Sequence, residues 1–237
     1  MYKFLIISIL SLFSVLCTQA QSKQTNKPET ALKKSKPDSV KVSTPIFKNL
    51  RLDIDVAPIL KNIFAADDTY SFETGLQANL LNKYYPIIEL GYGGANHTSS
   101  TDIGFKTNGL FGRIGLDFNL LKQKEGKKLS SNLILAGLRL GYSKFNYDLT
   151  NIVINNDYWN EKTQYDILNE STSKLWFEIV FGVKVEISKN IYMGWTIRNK
   201  RTIKESALGI LNPWFAPGYG INSSSNIGIN YMIGYKF

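Results

Sequence analysis

The C-terminal stretch Ile227-Gly228-Ile229-Asn230-Tyr231-Met232-Ile233-Gly234-Tyr235-Lys236-Phe237 decides the fold. Ile227, Ile229, Tyr231, Ile233, Tyr235 and Phe237 share one parity, and Gly228, Asn230, Met232, Gly234 and Lys236 share the other. Successive side chains of an extended chain point to opposite faces, so this alternation describes a strand with one apolar side. Leu175, Phe177, Ile179, Phe181, Val183, Val185 and Ile187 repeat it, opposite Lys174, Trp176, Glu178, Val180, Gly182, Lys184 and Glu186. No stretch shows a helical period, and none is apolar for the length a membrane helix needs. The domain reads as all-β.

Working back from the C-terminus, eight such segments fall at about 49–57, 69–80, 84–94, 105–120, 132–148, 174–187, 190–198 and 225–237. Asn82-Lys83 and Ser188-Lys189-Asn190 read as tight polar turns, whereas 150–173 and 199–224 read as long loops and 58–68 and 95–104 as intermediate ones. The charged connection Lys122 to Ser131 is the one long member of the short-turn side. Short turns at one end and long loops at the other are the pattern of transmembrane barrels. The expectation is an eight-stranded antiparallel up-and-down transmembrane β-barrel over residues 49–237, with both termini on one side.

The polar face separates a membrane barrel from a soluble one. Inside a small membrane barrel that face meets a lumen filled by side chains, so it needs small residues and charges that neutralise each other. It carries Arg51, Asp53, Asp55, Glu73, Glu89, Arg113, Asp117, Arg139, Glu178, Lys184, Glu186, Arg198 and Lys236, six bases against seven acids, with glycines such as Gly91, Gly137, Gly141 and Gly234 between them. A lumen ion-pair network is the expectation. The apolar face carries Tyr70, Phe72, Phe118, Tyr142, Phe177, Tyr235 and Phe237 near strand ends, where aromatic girdles of a membrane barrel belong.

Lys3 followed by the apolar run Phe4 to Leu16 and Thr18-Gln19-Ala20 reads as a cleaved export signal over residues 1–20. The single cysteine, Cys17, falls inside it, and Leu16 argues against lipidation there, so neither disulfides nor thiolate metal sites are expected. Residues 21–48 carry seven lysines against Glu29 and Asp38, with Pro28, Pro37 and Pro45 spaced along them. They read as a disordered basic periplasmic linker, since little in them could be buried; a tether to an anionic surface is the alternative. The chain as a whole has 28 basic residues against 19 acidic ones. That excess sits largely in the linker and loops, which favours a solvated surface over nucleic-acid binding.

The segment Gly228 to Phe237, with Tyr231, Ile233, Tyr235 and the terminal Phe237 on one face, resembles the insertion signal of outer-membrane barrels. Together with the strand set and the Ala20-Gln21 junction it resembles small eight-stranded barrels of the OmpA and OmpW type. It is most similar to a Bacteroidota family known as a domain of unknown function. The resemblance covers roughly residues 49–237. It implies a Gram-negative outer-membrane location, contact with lipid and passage through the barrel-assembly machinery, and it carries over no catalytic residue.

Chemistry-bearing side chains are few. The only histidine, His97, precedes Ser99 and Asp102, a set that could serve as base, nucleophile and orienter. The His-x-Ser spacing also resembles lipid A deacylases, but a loop tip rich in Ser, Thr and Asp is ordinary turn chemistry. Asp53 with Asp55, and Asp67 with Asp68, could bind calcium or share a proton; lumen pairing and a solvated turn are the simpler readings. No metal or cofactor motif is present. Two long loops carry large apolar groups: Trp159 in the first, Leu208, Ile210, Trp214, Phe215 and Tyr219 in the second. Either they fold over the barrel mouth, or they dock a surface lipoprotein or neighbouring barrel. Three function classes follow: a structural or accessory barrel of a larger envelope complex, a lipid-modifying enzyme using His97, and a narrow channel or small-ligand carrier.

Overall fold

A computed structural model describes residues 45–64, 68–121, 132–156, 161–206 and 212–237. The expected export signal, the linker up to residue 44, the turn from Lys122 to Ser131, Asp67, Trp159, Leu208 and Ile210 lie outside the described residues.

The elements are β1 (Phe47–Asp55), α1 (Ala57–Phe64), β2 (Thr69–Leu80), β3 (Tyr84–Thr98), β4 (Gly104–Asn119), β5 (Leu133–Asn156), β6 (Glu161–Ser188), β7 (Ile191–Glu205), β8 (Phe215–Ala216), β9 (Gly220–Ile221) and β10 (Ser225–Lys236). Eight of the ten strands form one antiparallel sheet in the order β1-β10-β7-β6-β5-β4-β3-β2, which closes into a barrel. β8 and β9 form a separate two-stranded piece. The end carrying the short turns is tightly bent. Leu81 and Asn82 have φ of 56° each, the twist that matches a hairpin turn, and Asn190 takes 70° between β6 and β7.

The two faces of the ring are inverted relative to a soluble barrel. Alternate positions of β4 show this: Phe111, Arg113 and Asp117 are buried inside, whereas Leu110, Ile114 and Phe118 are exposed outside. Glycine on the inner face lets large neighbours cross the interior. A Cβ built on Gly141 would stand 2.3 Å from Trp176 Cε2, and one on Gly137 would overlap the Asp117 carboxylate.

Five stretches differ from the expected ones: β3 runs on to Thr98 and takes His97 out of the expected loop, and four others each have a local reason. β1 begins at Phe47, inside the segment assigned to the linker. Residues 57–64 form a helix rather than a loop, because the Asp55 carboxylate accepts the Ala57 N–H at 3.0 Å and Pro58 fits a first turn. Most of 150–173 is not a loop: β5 pairs with β4 only up to Gly104↔Thr150, then continues with β6 as a projecting ribbon whose pairing reaches Asn156↔Glu161. β7 likewise runs seven residues past Arg198, to Glu205.

The glycine argument gives a stability test. Gly141→Ala should cost about 1–3 kcal/mol by overpacking against the Trp176 indole. Gly112→Ala, whose added carbon would meet Leu90 at an ordinary 3.4 Å, should be close to neutral. Equilibrium unfolding of the two variants under the same conditions checks the difference.

Candidate functional site: the charged lumen and its plugged mouth

Six cations and six carboxylates on the strands are buried inside the ring: Arg51, Arg113, Arg139, Lys174, Lys184 and Arg198 with Asp53, Asp55, Glu73, Glu89, Asp117 and Glu178. Seven of these form one cluster at mid-height. Arg198 donates to Glu89 at 2.7 Å and pairs with Glu73 at 2.9 Å. Arg113 pairs with Glu73 and Glu178, each at 2.7 Å. Arg139 grips Asp117 with both terminal nitrogens, at 2.7 and 2.8 Å, and reaches Glu89 at 3.4 Å. Glu89 thus sits among three arginines. Its burial is thus matched by charged partners on three other strands.

The cluster is continued towards the short-turn end by a neutral side chain. Gln77 donates to Asp117 at 2.8 Å and accepts from Lys184 at 3.0 Å, and Lys184 in turn pairs with Asp53. A void of about 10 Å³ among Glu89, Asp117, Arg139, Lys184 and Arg198 is the size of a single water. Towards the loop end, Trp176 donates to Glu178 at 2.7 Å and stacks edge-on against Tyr219.

The mouth is closed by the β8–β9 piece. Phe215, Ala216 and Tyr219 are buried in one apolar cluster with Ala95, Phe105, Phe111, Phe145, Tyr147 and Trp176. The turn between β8 and β9 enters the lumen far enough for its carbonyls to meet lumen cations. Arg113 and Lys200 each donate to the Gly218 carbonyl at 2.7 Å, and Lys200 also to that of Tyr219 at 3.1 Å. Gly218 has φ of +77°, and a Cβ there would strike the Phe111 ring, so the turn requires glycine. Lys174 anchors the same segment through Asn222 and Glu205.

The family described as Domain of unknown function (DUF6048) matches residues 1–237. The chain belongs to the DUF6048 family. Among curated proteins, none gives a significant match.

Within this DUF6048 lumen, not every acid and base expected in the ion-pair network takes part. Asp55 makes no ion pair among the described residues; its oxygens accept from Ala57 N, Tyr231 N and Asn230, so it holds the exit of β1. Arg51 lies over the Tyr192 and Tyr85 rings, 4.5 and 5.4 Å from their centroids, rather than against a carboxylate. Glu186 and Lys236 pair at 3.4 Å but are only half-buried, at the short-turn end. Arg139 and Glu178 stand opposite each other in register and are linked through Glu89 and Arg198 rather than directly.

The His97 set is not assembled as expected. The His97 ring nitrogen meets Asp68, not Asp102, and its ring stacks on Trp214 with centroids 4.4 Å apart. Ser99 Oγ accepts from Thr101 N and Ile103 N, closing its own turn, while Asp102 takes a φ of 61° in that turn. No hydrogen bond joins His97 to Ser99 or Asp102 among the described residues. Of the docking candidates, Phe215 and Tyr219 are buried in the plug and Trp214 packs half-buried against it, because the lumen offers these rings more apolar contact than water does. Phe215 and Tyr219 are not available as surface anchors. Tyr231, Ile233, Tyr235 and Phe237 lie on the outer face of β10, with the last two rings edge to face at 5.0 Å.

Gln77, Lys200, Tyr85 and Tyr192 are lumen residues that a search for charges on short strands misses, whereas Lys174 and Trp176 lie on the polar parity already read for their strand. Gln77 follows Glu73 and Gly75 in strict alternation, and Lys200 follows Arg198, so the period of two was the signal for both.

Removing one member of the cluster strands its partners in a dry interior. Arg139→Ala should destabilise the folded chain by about 3–5 kcal/mol. Arg201→Ala, which removes an exposed charge three residues beyond Arg198, should change stability by less than about 1 kcal/mol. Denaturant titrations read the contrast, and equal small losses would mean a wet lumen.

Proposed function

We propose that this protein is an integral β-barrel of a Gram-negative outer membrane, of the OmpA and OmpW kind. Residues 1–20 would serve as its export signal and residues 21–48 as a basic periplasmic linker. It acts as a structural or accessory subunit of an envelope complex, without catalysis and without a conducting pore.

The observation that carries the reading is the outward face. Charge-free outward positions run from Tyr84 to Tyr92 on β3, Leu110 to Phe118 on β4 and Ile134 to Tyr142 on β5. Each run spans nine residues, the length with which a tilted strand crosses a hydrocarbon core. Just beyond them Asn96, Lys106, Asn108, Lys144 and Asn146 bring polarity back. Exposed Tyr70, Tyr92 and Tyr142 stand at one margin and Phe118, Tyr235 and Phe237 at the other, as two aromatic girdles would. Water has no reason to favour such a surface, and lipid does.

The interior supports a closed lumen. Eight strands leave room for side chains only, and here the charged cluster and the plug occupy it. An accessory role is supported by the β5–β6 ribbon. Pairing of β6 with β7 begins only at Lys174↔Glu205, so Glu161 to Ser173 project beyond that neighbour. Such a ribbon, with Leu168 and Val153 exposed on it, offers a surface lipoprotein or a neighbouring barrel an edge to dock on.

The location is tested by Ile179→Arg. Ile179 is 53% exposed at the middle of the β6 run, and arginine there should cost about 2–4 kcal/mol in bilayers. The wild-type chain should resist alkaline carbonate extraction and migrate differently in gels with and without heating. A monomer soluble without detergent overturns the placement, and stepwise ion conductance in planar bilayers overturns the closed lumen.

A further inference from the structure

Close to the short-turn end, the outer face of the barrel is hollow. Leu50, Ala78, Pro86 and Leu116 form one row across β1 to β4, with Leu50 opposite Ala78 and Pro86 opposite Leu116. The next row towards the loop end holds Leu76, Ile88 and Ile114, and the next towards the short turns holds Leu80, Tyr84 and Phe118. An alanine beside a proline cannot fill the height that branched and aromatic side chains reach on either side. The result is an open trough of about 560 Å³, floored at Ala78 and Pro86 and walled by Leu76, Ile88 and Ile114. Proline is an unusual choice for this floor, because it has no N–H for the ladder. The pairing of β2 with β3 keeps one register from Leu80↔Tyr84 to Thr69↔Ala95, yet skips Ala78 and Asn79.

The margin of the trough is aromatic and then positive. Tyr84 and Phe118 meet edge to face at 5.6 Å, and Lys83 Nζ lies over the Tyr84 ring, 5.2 Å from its centroid. Lys48 sits in the bulge between Phe47↔Leu80 and Asn49↔Asn79, so both lysines border the β2–β3 turn. Lys83 is exposed and Lys48 half-buried, and neither pairs with a carboxylate among the described residues. The acids at this end are committed elsewhere: Glu186 to Lys236 and Asp53 to Lys184. The terminal carboxylate of Phe237, whose N–H reaches the Leu50 carbonyl, offsets one of the two lysines at most.

The two features select one kind of ligand. A hollow in an apolar face fits hydrocarbon, and long cationic side chains just beyond an aromatic margin fit an anion at headgroup level. Hydrocarbon alone would leave the lysines unmatched, and a small anion alone would leave the trough empty. A molecule that carries both, with the charge at one end, satisfies both.

We propose that the trough holds one anionic diacyl phospholipid of the leaflet on the short-turn side, an acyl chain lying over Ala78 and Pro86 and the phosphate on Lys83 and Lys48. The proposal rests on the membrane placement above, and its test is separable from that placement. The full chain is purified in nonionic detergent and titrated with dioleoyl phosphatidylglycerol or dioleoyl phosphatidylcholine, and bound lipids are counted by native mass spectrometry. Heat-dependent gel mobility reports the placement; the lipid count reports the trough. One phosphatidylglycerol per chain is expected, held about tenfold more tightly than phosphatidylcholine and not displaced by inorganic phosphate. Lys48→Gln combined with Lys83→Gln should remove that preference, whereas Lys189→Gln, in the turn between β6 and β7, should keep it. Ala78→Phe should fill the trough and abolish retention of either lipid; if that variant fails to fold, the lysine variants still decide. Equal affinity for the two lipids, a preference that survives the double lysine variant or is lost in Lys189→Gln, displacement by phosphate, unchanged retention in folded Ala78→Phe, or a dimer of the chain that Ala78→Phe dissociates overturns the proposal.

Discussion

Glu89 is the residue around which the barrel is organised. It is buried beside Arg113, Arg139 and Arg198, and those arginines reach on to Glu73, Glu178 and Asp117. The cluster draws on six strands, β2 to β7, and so ties distant parts of the sheet together across the interior. A charge in such a place is tolerated only when matched, and each strand must therefore arrive in one register. A shift of one residue would carry a charge to the outer face and an apolar side chain into the cluster. The electrostatics act less as a source of net stability than as a condition on which pairing of the strands can close.

That condition also explains the mouth. Arg113 and Lys200 face upward with donors to spare, and the Gly218–Tyr219 carbonyls meet them. The apolar rings of the same segment then bury against Phe111 and Trp176. A loop that looks sticky in sequence is thus drawn inward by two forces at once, main-chain carbonyls to cations and rings to rings. Among the described residues, fixed charges below and a packed plug above fill the lumen along its axis.

The fold was legible because two signals coincide on the strands. The period of two marks each strand, and the acids and bases on the polar parity mark its inner face. Both fade where both faces meet the same surroundings. From Glu161 to Ser173 polar side chains dominate both parities, with only Tyr165, Ile167 and Leu168 among them, so the ribbon read as a loop. The helix after β1 is too short to show a period, and its cause, the Asp55 carboxylate, read as one more lumen charge. Phe215 and Tyr219 were visible as unusual, but sequence does not say whether an apolar loop residue turns outward to a partner or inward to a plug. His97 failed for a related reason: its neighbours in sequence close their own turn, and the groups it meets, Asp68 and Trp214, come from elsewhere in the chain.

The same Asp55 shapes the barrel wall. Had β1 continued beside β2 to the level of Thr69, its ladder would have sealed the wall, and the space now lined by the β10 edge would not exist. Instead the carboxylate replaces the next ladder bond with Tyr231 N, and α1 leaves with Pro58 and Lys61 facing that space. On the proposed membrane placement, strand edges bordering such a break carry polar backbone groups at a depth where lipid cannot satisfy them. An interruption there is costly unless another element fills it. Lys200, held by the Gly218 and Tyr219 carbonyls, lies at the inner end of that interruption, and α1 packs against the two strands that border it.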